Sequence, residues 1–193
     1  MTEYTDAAVE AIADRDALGA PLVIVAQSMG AFTGPLVCDR VPVDLLVLLN
    51  AMVPSPRESG GEWWANTGQE QARAEQASRD GRMVDGEFDP MGEFFHDVPP
   101  EVTAHALALG DPPQSATPFA EPWPLAQWPD VPTRVLLALD DRFFPADFQR
   151  RVSQERLGIT PDEIPGGHLV ALSRPRELAD RLEDYLADTR PSP

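Results

Sequence analysis

Lysine is absent from this 193-residue chain. All 15 basic residues are arginine, set against 32 Asp and Glu, for a formal net charge of −17. A surface so one-sided repels phosphate backbones and anionic lipid, which argues against nucleic acid and against a membrane as partners. Cysteine is nearly absent. Cys38 stands alone, which excludes an internal disulfide and a multi-cysteine metal site and suits the reduced cytoplasm. Long apolar runs are missing too: LLVLL at 45–49 is far too short to span a bilayer, and the opening MTEYTDAAVE lacks the basic region and apolar core of an export signal. No internal repeat is present. What remains is 42% apolar residues, enough for one domain with a sizeable core.

Along the chain, strand and helix signals alternate. Tyr4, Ala8 and Ile12 lie one turn apart and predict an amphipathic helix over 4–18, ended by Gly19-Ala20-Pro21. Residues 22–26 (LVIVA) and 43–49 are continuous apolar runs, the pattern of strands buried on both faces of a parallel sheet. A helix is expected between them, over 29–39. Residues 54–130 differ in character, being rich in Pro, Gly, Trp and acid, and read as an insertion that folds over something. Alternation resumes with a strand at 133–139, a helix at 146–157, a short strand within 159–164 and a last helix over 169–188. The expected class is α/β with a mostly parallel sheet: 1–53 the first part of the core, 54–130 a mainly helical insertion, 131–193 the second part.

The stretch PLVIVAQSMGAF at 21–32 contains Ala26-x-Ser28-x-Gly30, a small-residue form of G-x-S-x-G. A nucleophile elbow needs small residues two before and two after the serine, because strand and helix cross closely there and the serine backbone is strained. Serine also caps ordinary helices. The apolar strand before Ser28 and the helix after it favour the nucleophile. The Met29 N–H would then be placed to donate to an oxyanion. A serine needs a base, and of three histidines only His168, in the turn PGGHL before the last helix, is suitably placed; His96 and His105 fall in the insertion and read as solvated or packed. An orienting carboxylate is expected at the C-terminal end of the 133–139 strand, where Asp140 and Asp141 compete. The order Ser28, Asp141, His168 is that of the α/β-hydrolase triad.

With VAQSMGAF, PTRVLLALDDRFFP and PGGHLVALSRP in this order, the chain resembles the α/β-hydrolase superfamily, and most closely its small bacterial esterase-like members with a helical cap. The resemblance implies Ser28 as nucleophile, His168 as base and Asp141 as acid. The last follows because Ala138-x-x-Asp141-x-x-x-Pro145 aligns with the G-x-x-D-x-x-x-P of the family, with Ala138 in place of glycine. It implies ester or similar acyl-bond hydrolysis of a small, largely apolar substrate without cofactor or metal, and places a cap at 54–130. Cyanohydrin-lyase-like proton abstraction on the same scaffold is an alternative.

The chain departs from the family at its front. Members carry several strands before the elbow and often a His-Gly loop that completes the oxyanion hole, whereas here the serine arrives at position 28 with no histidine upstream. This suggests either that Met1 lies inside a longer natural protein, or that the chain is an inactive or weakly active hydrolase-fold piece. In the second case the exposed edge of its first strand invites pairing into a homodimer. The tryptophans of the insertion (Trp63, Trp64, Trp123, Trp128) fit two roles equally, lining an apolar substrate site or gluing the insertion to the core. Cys38 reads as a packed thiol, and the acid run at 85–89 as a solvated turn rather than a calcium loop.

Overall fold

A computed structural model describes residues 1–12, 20–82, 88–110 and 115–189. Four strands, β1 (Val23–Gln27), β2 (Leu45–Leu49), β3 (Thr133–Ala138) and β4 (Asp162–Ile164), form one sheet in the order 1-2-3-4, parallel throughout. Ala26 pairs with Leu48, Leu48 with Val135, and Ala138 with Ile164. β2 is buried along its whole length because it is central and covered on both faces. Its side chains alternate between two cores. Leu46 and Leu48 join Phe32, Trp63, Phe144 and Phe148 on one face; Leu45, Val47 and Leu49 join Val170, Leu178 and Tyr185 on the other. β1 is less buried than its composition predicts. It lies at the sheet edge, and Val25 is 41% exposed.

Helix α1 (Thr2–Ile12) opens the chain; the rest of the helix expected over 4–18 lies outside the described residues. The single helix expected after the elbow is two pieces, a 3-10 turn at Ser28–Phe32 and α2 (Gly34–Cys38). Pro35 has no N–H to continue the earlier ladder, and so it falls in the first turn of α2. Between β2 and β3 come α3 (Gly60–Thr67), α4 (Gln69–Arg79), α5 (Pro90–Glu93), α6 (Pro100–Ala108) and α7 (Thr117–Ala120). α8 (Ala146–Leu157) joins β3 to β4. The last predicted helix is also broken, into α9 (Val170–Ser173) and α10 (Pro175–Thr189). Arg174, at φ −136° and ψ 52°, precedes a proline that disfavours the helical region. Among the described residues no helix is long and apolar enough to cross a membrane.

The helices between β2 and β3 are fastened to the rest of the domain by named contacts. Ser59 and Glu62 form a capping box at the start of α3. Trp63 is fully enclosed and donates its indole N–H to the Val53 carbonyl at 3.0 Å; Trp123, equally enclosed, donates to the Phe32 carbonyl at 3.0 Å. These two rings have no surface left for a ligand and act as glue. Arg156 of α8 grips Glu58 with both terminal nitrogens, one at 2.8 Å, and donates to the Val53 carbonyl at 2.6 Å.

Candidate active site

All four strands run the same way, so the residues that follow them gather at one rim of the sheet. Ser28 directly follows β1, Asn50 follows β2, Asp141 lies three residues beyond β3, and His168 four beyond β4.

Ser28 has φ +51°, the left-handed region, which a residue with a Cβ occupies at a cost of about 1–3 kcal/mol. It is not a helix cap. Gln27 holds the cap position of the 3-10 turn, and its side chain makes no capping bond. The Met52 N–H donates to the Ser28 carbonyl at 3.0 Å and ties the elbow to the chain beyond β2. The close crossing expected at Gly30 falls elsewhere. A Cβ on Gly30 would meet nothing within 4 Å, whereas one on Gly34 would lie 2.8 Å from the Ala26 Cβ and 3.3 Å from Leu46 Cδ1. The 3-10 turn carries the chain one turn further before α2 leans back on β1, and so shifts the contact from residue 30 to residue 34.

Asp141 and His168 are both buried and meet directly, Nδ1 to Oδ2 at 2.8 Å. The other oxygen of Asp141 accepts the N–H groups of Phe143 and Phe144, each at 2.9 Å, while Gln149 Nε2 stands 3.5 Å from Oδ2. With the carboxylate as acceptor, the imidazole proton belongs on Nδ1 and Nε2 is left as the basic nitrogen. Asp140 has a different task. Its side chain accepts the Gly166 N–H at 3.0 Å while its own N–H donates to the Gly166 carbonyl at 2.9 Å, which clamps the loop before His168.

Three phenylalanines surround the imidazole. Phe94, from the insertion, stacks on it at 4.6 Å with the planes 15° apart; Phe144 and Phe143 meet it edge-on at 5.1 and 5.6 Å. The His168 carbonyl accepts from Gln27 Nε2 at 2.7 Å and from Asn50 Nδ2 at 3.0 Å. The Asn50 side-chain oxygen accepts the Ala138 N–H at 2.7 Å, so this fully buried amide links the ends of β2 and β3 to the histidine loop. Ser28 is thus coupled to that loop through its neighbour Gln27. Gln27, Asn50, Gln149 and Phe94 carry no motif of their own. The only sequence signal was position: Gln27 inside the elbow stretch and Asn50 closing the LLVLL strand.

The remaining candidates separate clearly. His105 is exposed. His96 packs beside Asp97, and burial followed by the Arg142 charge holds its imidazole below the ordinary histidine range. A cavity of about 570 Å³ lined by His96, Asp97, Asp140, Asp141, Arg142 and Arg150 among others adjoins the acid, but neither Ser28 nor His168 lines it. Burial pushes the Cys38 thiol up to about 11, which leaves little thiolate for nucleophilic chemistry. Of the acid run, 85–87 lie outside the described residues, and Asp89 caps α5 by accepting the Met91 N–H at 3.0 Å. Among the described residues no group of three or more His, Cys, Asp or Glu side chains is placed to hold a metal ion.

The fold has solved counterparts. One is polyneuridine aldehyde esterase, with 19% identity over 86% of this chain and 72% of that one and a TM-score of 0.62. A pyrethroid hydrolase from Sphingobium faniae JZ-2 matches at 22% identity over 93% and 76%, with a TM-score of 0.65. An extracellular alpha/beta-hydrolase from a Paenibacillus species matches at 20% over 93% and 77%, with a TM-score of 0.63. No curated protein matches significantly. The model of the Alpha/beta hydrolase family matches residues 1–181, and the chain belongs to that family.

Proposed function

We propose that the chain is a serine hydrolase of ester or similar acyl bonds in a small, largely apolar molecule. The observation that carries the reading is the 2.8 Å contact between two buried groups, His168 and Asp141, on the rim that also bears a serine in left-handed conformation. In this reading Ser28 Oγ attacks the acyl carbon while His168 Nε2 takes its proton. The Met29 N–H, the first amide beyond the nucleophile, donates to the carbonyl oxygen as it becomes an oxyanion. Asp141 accepts a hydrogen bond from Nδ1–H, without taking the proton, and offsets the charge that forms on the ring. As the tetrahedral adduct collapses, His168 returns the proton to the departing alcohol. Water, deprotonated by the same nitrogen, then attacks the acyl-enzyme, releases the acid and restores Ser28. The sequence balances without a cofactor, and the phenylalanines around His168 suit an apolar substrate.

The test is covalent labelling. A fluorophosphonate probe is expected to modify the wild-type chain at Ser28 and to leave Ser28→Ala unmodified, in parallel with hydrolysis of short-chain p-nitrophenyl esters. A folded wild-type chain that takes up no label removes the proposal.

One observation favours a weakly active variant of this reading. Among the described residues β1, which delivers Ser28, is an edge strand, so strand-borne loops reach the elbow from one side only. Loss of one oxyanion donor lowers turnover by roughly 10²–10³. Labelling of Ser28 together with ester turnover that low would favour it, and brisk turnover would exclude it.

A further inference from the structure

Three side chains of the segment 94–97, between α5 and α6, reach the histidine loop. Phe94 covers the face of the imidazole. Asp97 Oδ2 accepts the Gly167 N–H at 2.7 Å, the amide immediately before His168. The fit around that glycine is close. A Cβ at position 167 would lie 2.6 Å from Asp97 Oδ1 and 2.6 Å from His96 Nε2, two buried atoms with no hydrogen-bond partner of their own. A Cβ there would push both side chains back from the loop.

The core holds this loop by its other groups. Asp140 takes the Gly166 amide, while Gln27 and Asn50 take the His168 carbonyl. Between those anchors runs Gly166-Gly167, the pair with the greatest backbone freedom, and Gly166 sits at φ +119°. The Gly167 N–H, in the Gly166–Gly167 peptide, has its acceptor on Asp97, whereas the Gly167 carbonyl, in the peptide that leads into His168, accepts from Asn50 Nδ2 at 3.4 Å.

We infer that Asp97 is a positioning residue: by holding the Gly167 amide it fixes the loop that aims His168 at Ser28, so the geometry of the base depends on the inserted helices being seated. The inference rests on the triad proposed above and adds that the insertion does more than cover the site. Were segment 94–97 to lift, the ring would lose its stacking partner and the Gly167 N–H its acceptor together, with only the Asp140 clamp on Gly166 left upstream.

Asp97→Ala removes the acceptor; Asp97→Asn keeps an oxygen for the Gly167 N–H. In the alanine variant the rate of Ser28 phosphonylation and kcat on p-nitrophenyl acetate should fall roughly 10–100-fold with KM within about twofold, since small misplacements of a catalytic group carry losses of that order. The asparagine variant should keep most of both. Gly167→Ala, which pushes Asp97 and His96 away from the loop side, should reproduce the alanine loss. A readout independent of turnover is the Nδ1–H proton resonance of His168, expected to shift and broaden in Asp97→Ala and to persist in Asp97→Asn. A merely structural Asp97 would lower the melting temperature and leave rate and resonance alone. The inference is overturned if Asp97→Ala labels at the wild-type rate with an unmoved resonance, or if Asp97→Asn loses as much as Asp97→Ala. If wild-type Ser28 never labels, the triad reading fails, and the resonance still decides whether Asp97 positions His168.

Discussion

Arg156→Met tests how the insertion is fastened to the core. The Glu58 side chain is 4% exposed and that of Arg156 12%. Glu58 accepts from both terminal nitrogens of Arg156, from Asn66 Nδ2 at 2.8 Å and from the Ser55 N–H at 3.1 Å. Methionine keeps the apolar stem and strands the carboxylate with two donors. Removing one partner of a buried pair costs about 3–5 kcal/mol, and because Asn66 and Ser55 remain, the lower end, about 3 kcal/mol, applies. At roughly 2–4 °C per kcal/mol for a chain of this size, the melting temperature should fall by about 6–12 °C near neutral pH.

The pH dependence has a definite sign. Burial alone would raise the Glu58 pKa, but the hydrogen bonds from Arg156, Asn66 and Ser55, with the Arg156 charge, outweigh it and hold the carboxyl below its usual range. A depressed folded-state pKa stabilises the fold above the unfolded value, and that contribution is lost as pH falls through the folded one. The difference in melting temperature between wild type and Arg156→Met should therefore be full at neutral pH and shrink once the solution is more acid than the ordinary carboxylate value of about 4.3. Circular dichroism melts of both proteins, at about pH 7.5 and about pH 3.5, measure it. A difference below about 2 °C at the higher pH, less than 1 kcal/mol on the same scale, would refute the reasoning. So would one that widens on acidification.

The other expectations concern the site and the sheet edge. Asp141→Asn should retain the fold and lower kcat by roughly 10⁴-fold, because the amide presents the wrong partner to Nδ1; ester hydrolysis within tenfold of wild type would remove Asp141 from the proposed triad. Ser28→Ala should lose phosphonate labelling completely while melting close to wild type. The apolar edge of β1, with Val25 41% exposed, is proposed to pair with a second copy, and Val25→Lys should weaken that pairing. Sedimentation velocity checks it, and a monomer at about 100 μM, in the concentration range where unpaired strand edges associate, counts against it.

The candidate site was legible in part, and the reason differs residue by residue. Ser28 stood out because an elbow demands small neighbours and a strand before it, requirements that are local in sequence. Gly30 was credited with a contact that belongs to Gly34, because a 3-10 turn and a longer helix start give the same residue pattern at that point. Asp140 and Asp141 are adjacent and chemically identical. Choosing between them from the residues alone was not possible, since the choice depends on which carboxylate faces a loop 27 positions away. Glu58, Asn50 and Asp97 were invisible for the same reason: each matters through one partner distant in the chain.

The sequence by itself determined the alternation of strands and helices, the parallel sheet and the small residues of the elbow, because periodicity, proline placement and backbone strain act over a few neighbouring residues. Tertiary structure alone decided that Trp63 and Trp123 are fully enclosed, that Asp140 clamps Gly166 while Asp141 meets His168, and that Asp97 holds the histidine loop. Those outcomes depend on distances between segments far apart in the chain, which burial and hydrogen bonding fix only once the whole domain has closed.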